Sequence, residues 1–116
     1  MKVLIHEMFE LSDEKAAKLY ARMVKYIINK TPEIEIIKDC ENLSRKELGF
    51  ILYMLGWIGG AYSHYKGLNF YPELEFMGRL IVLYKTKGEK EVEEFVLNRI
   101  KTVRTQMETE RLRDSV

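Results

Sequence analysis

Fifteen consecutive residues, Leu48 through Tyr62, carry no charge in a chain of 116 residues of which 32% are charged. Apolar side chains go round every side of a helix drawn through them, and such a helix belongs in the centre of a core or in a membrane. At 1.5 Å per residue the segment spans about 22 Å, short of a hydrocarbon layer of roughly 30 Å. Trp57 and Tyr53 also fall mid-segment rather than at its ends, where membrane aromatics gather. The expectation is a buried central helix, with membrane seating disfavoured. Gly56 and Gly60 form a G-x-x-x-G pair within it, a spacing that lets a second backbone approach closely. Few other helices are available to cover so apolar a segment, so a homodimer is expected, formed through this helix with Gly56 and Gly60 at its interface, or through the apolar stripe of the 89–112 helix.

Around this segment the chain reads as one domain, residues 1–116, since the length suits one compact domain and is short for two. Net charge is +1, so no global field steers the protein to nucleic acid or to an anionic membrane. Cys40 is the single cysteine and excludes an intramolecular disulfide. With no apolar run near Met1 long enough for a secretory signal, a cytoplasmic protein is expected. Fifteen of the 18 acids are Glu, 12 of the 19 bases are Lys, and Gln106 is the single glutamine. That bias marks proteins of hot habitats, where ion-pair networks hold up. A thermophilic source, archaeal or from an archaeal virus or plasmid, is expected.

Local signals place the remaining elements. Residues 2–9 and Glu33–Lys38 carry β-branched or alternating apolar positions and read as short strands. Ser12 followed by Asp13 and Glu14 caps a helix over about 12–30, with Ala16, Tyr20, Met23 and Ile27 on one face. Ser44 to Glu47 has capping-box form and opens the apolar helix, 44–65. Pro72 opens a third helix toward Gly88, in which 80–84 reads equally well as strand, and a last helix covers about 89–112. The fold expected is α+β and predominantly helical: about four helices around the 44–65 helix, with one or two short strands. An all-α bundle is the alternative.

The sequence holds few groups arranged for chemistry. A zinc site needs three or four ligands, and the chain offers only His6, His64, Cys40 and scattered carboxylates, so no metal and no cofactor are expected. The most site-like stretch is 62–71, where Tyr65, Lys66, Phe70 and Tyr71 combine rings with a cation and suit stacking on a planar ligand. A small enzyme using His64 with Tyr62 or Tyr65 is the lesser reading of it. The last helix is acidic first and basic last: residues 89–98 have four acids and one base, net −3, and 99–113 have five bases and two acids, net +3. Lys101, Arg104 and Arg111 are the candidate phosphate contacts there, although the helix dipole favours the same gradient.

The layout of 2–60, a short strand, then a helix opening Leu11-Ser12-Asp13-Glu14, then one opening Leu43-Ser44-Arg45-Lys46-Glu47-Leu48, resembles ribbon–helix–helix DNA-binding regulators. The resemblance implies a strand that pairs across a dimer and reads the major groove. Lys2 and His6 are the only residues on the implied polar face suited to reading bases, the first helix is longer than that family's, and 31–43 is an insertion. Taken together, the sequence points to a small non-enzymatic interaction or regulatory protein that associates with itself. It either binds nucleic acid through the basic C-terminal helix or serves as a protein–protein adaptor.

Overall fold

The computed structural model describes residues 4–64 and 71–114, and of the side chains those of 4–56 and 76–114. Six helices make up the described elements: α1 (Ile5–Met8), α2 (Asp13–Ile28), α3 (Glu33–Asp39), α4 (Arg45–His64), α5 (Tyr71–Lys87) and α6 (Glu89–Asp114). There is no strand among the described residues, so the architecture is helical and the expected α+β content is not found.

Both expected strands are helices, for identifiable reasons. Thr31-Pro32-Glu33 followed by Glu35 is a helix start: Pro32 holds an extended N-cap backbone and two acids fill the first turn. The resulting α3 buries Ile36 and leaves Ile34 and Ile37 exposed. Four alternating residues are too few to choose between periods of 2 and 3.6, and neither short run has a partner strand. The expected strand at 2–9 is, over its described part, the single turn α1, which brings His6 inward. The ambiguous run 80–84 lies within α5.

Chain reversals follow from capping. At the ends of α1 and α2 the same motif recurs: the amide two residues past the cap bonds back to the C3 carbonyl, Leu11 to His6 at 3.2 Å and Thr31 to Tyr26 at 3.0 Å. The left-handed position falls on Glu10 (φ 56°) and Lys30 (φ 51°), a conformation in which a side chain is strained. Gly88 (φ 97°) takes the same role between α5 and α6, where glycine avoids the strain. Ser12 accepts from the Lys15 amide, and Ser44 from the Glu47 amide, each at 3.2 Å, as their sequence pattern predicts.

The central helix is α2, which packs on α4, α5 and α6. Its Ala16, Ala17 and Ala21 are buried and let neighbouring backbones approach, while Leu19, Met23 and Val24 fill the space between. The expected centre, α4, is one-sided over its described side chains: Phe50, Ile51 and Met54 are buried, whereas Tyr53 and Gly56 are exposed. The small-residue face of α2, rather than the most apolar helix, decides which element three others can surround. Rings link the layers, with centroids 5.7 Å apart for Phe9–Phe50, 5.5 Å for Phe50–Tyr20, 5.9 Å for Tyr20–Phe76 and 6.1 Å for Phe76–Phe95. No helix among the described residues is long and apolar enough to cross a membrane.

Candidate functional site

Four places bring chemistry-bearing side chains together. The first joins α1, the start of α2 and α6. Arg104 grips Asp13 with both arms, Nε to Oδ2 at 2.9 Å and a terminal nitrogen to Oδ1 at 2.6 Å, and its other terminal nitrogen pairs with Glu7. His6, 1% exposed, sets Nε2 2.8 Å from Asp13 Oδ1. The Arg104 hydrogen bonds, with help from His6 and against partial burial, hold the Asp13 carboxyl down at about 2. Its partners push the Arg104 guanidinium up in turn. A His–Asp pair resembles half of a catalytic relay, but this one is closed. The imidazole has no exposed face for a substrate, and the carboxylate is committed to an ion pair.

The second ties α3 to α2. The Tyr26 hydroxyl donates to Asp39 and accepts from Arg22 Nε at 2.8 Å, and the Cys40 sulfur lies 3.2 Å from the same oxygen. Since the phenol has one proton and gives it to the carboxylate, the thiol is the donor in the last contact. Arg22 also donates to the Asp39 carbonyl at 2.7 Å. Burial, reinforced by the hydrogen bonds to Asp39 and Cys40, pushes the Tyr26 phenol well up. The Asp39 carboxyl is lowered by the Tyr26 and Arg22 hydrogen bonds. A phenol that keeps its proton and a thiol that is 1% exposed are poor nucleophiles. Among the described residues no buried side-chain nitrogen or oxygen lacks a partner, and no cluster of metal-ligating groups occurs.

Neither cluster was anticipated, yet a signal existed. In a chain with 15 Glu there are only three Asp, and Asp13 and Asp39 are two of them. Both stand at helix ends, Asp13 opening α2 and Asp39 closing α3.

The third place is a cleft of about 260 Å³ lined by three bases (Lys15, Lys18, Arg22) and three acids (Glu47, Glu89, Glu93), with Leu19 and Leu43. Lys15 bonds Glu47 at 3.1 Å, and the balance of signs offers no net field to an anion or a cation. The fourth is an open groove of about 580 Å³ between α5 and α6, formed by Gly78, Arg79, Val82, Leu83, Thr86 and Phe95. Val82 is 62% exposed and Phe95 38%. A Cβ placed on Gly78 would meet nothing within 4 Å, so the groove is unfilled along α5.

The residues singled out from the sequence are distributed as follows. Lys101, Arg104 and Arg111 share one flank of α6 beyond Ile100, its last buried residue. Lys101 is exposed, Arg111 bonds Glu108 at 2.8 Å, and Arg104 is engaged as described. Gly56 is exposed and a Cβ there would meet nothing within 4 Å, so among the described residues no backbone packs against it. The surroundings of Gly60, and the side chains of Tyr62, His64 and Tyr71, lie outside the described residues, as do Tyr65, Lys66 and Phe70 entirely. No family model matches this sequence, and no curated protein or solved structure proves similar to it.

Proposed function

We propose that this chain is a small non-enzymatic interaction protein that associates with itself and meets its partners through the α5–α6 hairpin. The observation that carries the reading is a contrast: both polar clusters are closed on themselves, while the apolar groove beside Phe95 and Val82 is open. An exposed apolar surface rimmed by polar residues is what association sites present. The lone, buried Cys40 suits the reducing cytoplasm, and the Glu- and Lys-rich composition suits a thermophilic archaeal source or one of its viruses. The test is sedimentation of the full chain from about 1 to 100 µM, wild type beside Val82→Glu. The mass of the wild type should rise with concentration, and the variant should stay monomeric with unchanged helical circular dichroism. Identical behaviour of the two would move the contact off the hairpin, and a wild type that stays monomeric throughout would remove self-association.

A second reading, nucleic-acid binding through Lys101, Arg104 and Arg111, is favoured by the run of α6 past the core. Its test is binding to duplex and single-stranded DNA and RNA at about 50 and 200 mM salt, where several phosphate contacts produce a loss of orders of magnitude. Lys101→Ala should then shallow the salt slope by about 1. Arg104→Ala should change the slope least of the three, because Asp13 and Glu7 already engage that cation. No binding at low salt would leave the adaptor reading alone.

A further inference from the structure

The three cations on the basic flank of α6 are not equally available. Lys101 has no ion pair among the described residues, Arg111 bonds Glu108 of its own helix, and Arg104 alone of the three reaches acids on other elements. A guanidinium presents its N–H groups as forks, and a fork seats a carboxylate or a phosphate in the same way. On Arg104 the fork made by Nε and one terminal nitrogen is filled by the two oxygens of Asp13, at 2.9 and 2.6 Å. The other terminal nitrogen goes to a single oxygen of Glu7.

The two acids are held in different ways. Asp13 opens α2, a helix of 16 residues, accepts from Arg104 twice and meets the buried His6 at 2.8 Å, and its side chain is 22% exposed. Glu7 stands on α1, a helix of four residues, bonds Arg104 through one oxygen, and its side chain is 42% exposed. Asp13 is therefore an anchor that fixes where the guanidinium points. Glu7 sets a carboxylate oxygen where an incoming phosphate oxygen would bind, and an exposed pair of this kind is weak enough to be exchanged.

We infer that Glu7 is an intramolecular stand-in for a backbone phosphate: it masks Arg104 in the free chain, and nucleic acid displaces it while Asp13 keeps the guanidinium in place. The inference rests on the nucleic-acid reading above and supplies the regulation of that site. The mask also selects for a polyanion. A single phosphate gains only the contact that Glu7 gives up, whereas a strand also reaches Lys101, one turn away on the same flank.

The experiment is a double-variant cycle in the full chain, read as binding to labelled duplex DNA at about 50 and 200 mM salt. Its members are wild type, Glu7→Gln, Arg104→Ala and the two together. Glu7→Gln keeps the size of an exposed side chain and removes its charge, and thermal melts check that each variant is folded at the assay temperature. Arg104→Gln, whose amide can still bond Asp13, replaces Arg104→Ala should the latter unfold. Glu7→Gln should tighten binding about fivefold or more at the lower salt and steepen the salt slope by about 1, the mark of one further phosphate contact. With Arg104 also replaced, both gains should vanish, because no cation is left to unmask. A gain that survives the loss of Arg104 would be general relief of repulsion and would overturn the inference, as would a Glu7→Gln variant with the affinity and slope of wild type. If Lys101→Ala still shallows the slope in those cases, the nucleic-acid reading stands without the mask. Absence of binding by both wild type and Glu7→Gln at the lower salt overturns both.

Discussion

The region before α4 and the α5–α6 hairpin use polar side chains in opposite ways. In the first, two short helices that could not persist alone are fastened by hydrogen-bonded clusters built around Asp13 and Asp39, and each cluster saturates its own groups. In the second, charge other than that of Arg104 faces outward along α6, and the space between α5 and α6 beside Phe95 is left open. Polar groups close on one another in the first region and not in the second, and the proposed self-association rests on that contrast. Substitutions in the two regions should therefore separate cleanly: those in the first move unfolding, those in the second move assembly.

The largest effect should come from His6→Ala. It empties a site that is 1% exposed and removes a partner of Asp13, so urea denaturation should show a loss of about 3 kcal/mol. A loss below about 1 kcal/mol would mean that α1 is dispensable and the first region less fastened than the contacts indicate. Tyr26→Phe comes next. It takes away one hydroxyl that serves Asp39, Arg22 and Cys40 at once, with an expected cost of about 2 kcal/mol and no change in self-association. A shift in oligomer mass would break the separation of the two regions.

Acid gives a smaller effect with a definite sign. The Asp13 carboxyl is held at about 2 in the fold against an ordinary value of 3.8, so its contribution is complete above pH 4 and is lost as pH falls through about 2. After allowance for partial solvent screening, about 1 kcal/mol should disappear over that window, and Asp13→Asn should remove this part of the pH dependence. The smallest effect belongs to Gly56→Ala. An exposed helical glycine with nothing within 4 Å of a Cβ should gain about 0.5–1 kcal/mol in stability when replaced. Self-association should be untouched if the α5–α6 hairpin is the interface, and weakened if Gly56 and Gly60 are, so the same variant compares two candidate surfaces.

Legibility in the sequence followed the range of the interactions. Helix starts at Ser12 and Ser44 and the stop at Gly88 were readable because a cap is decided within a few residues. The start at Thr31-Pro32-Glu33 carried an equally local signal, but the alternation of Ile34 and Ile36 masks it, and two isoleucines cannot distinguish a strand from one and a half turns of helix. The site residues were less legible. Asp13 to Arg104 spans 91 positions and Tyr26 to Asp39 spans 13, and no local pattern announces which acid meets which base. The surplus of Glu over Asp was the one available hint.

By itself the sequence determined a predominantly helical chain, the caps of its longer helices, the charge gradient of α6 and the apolar stripes those helices must bury, because these depend on neighbours within a turn or two. Tertiary structure alone decided that α2 rather than α4 is surrounded, that Arg104 belongs to Asp13 and Glu7, and that the groove beside Phe95 stays open. Those outcomes depend on how closely backbones can approach and on which polar groups reach one another across the fold, and both are set only when distant helices pack.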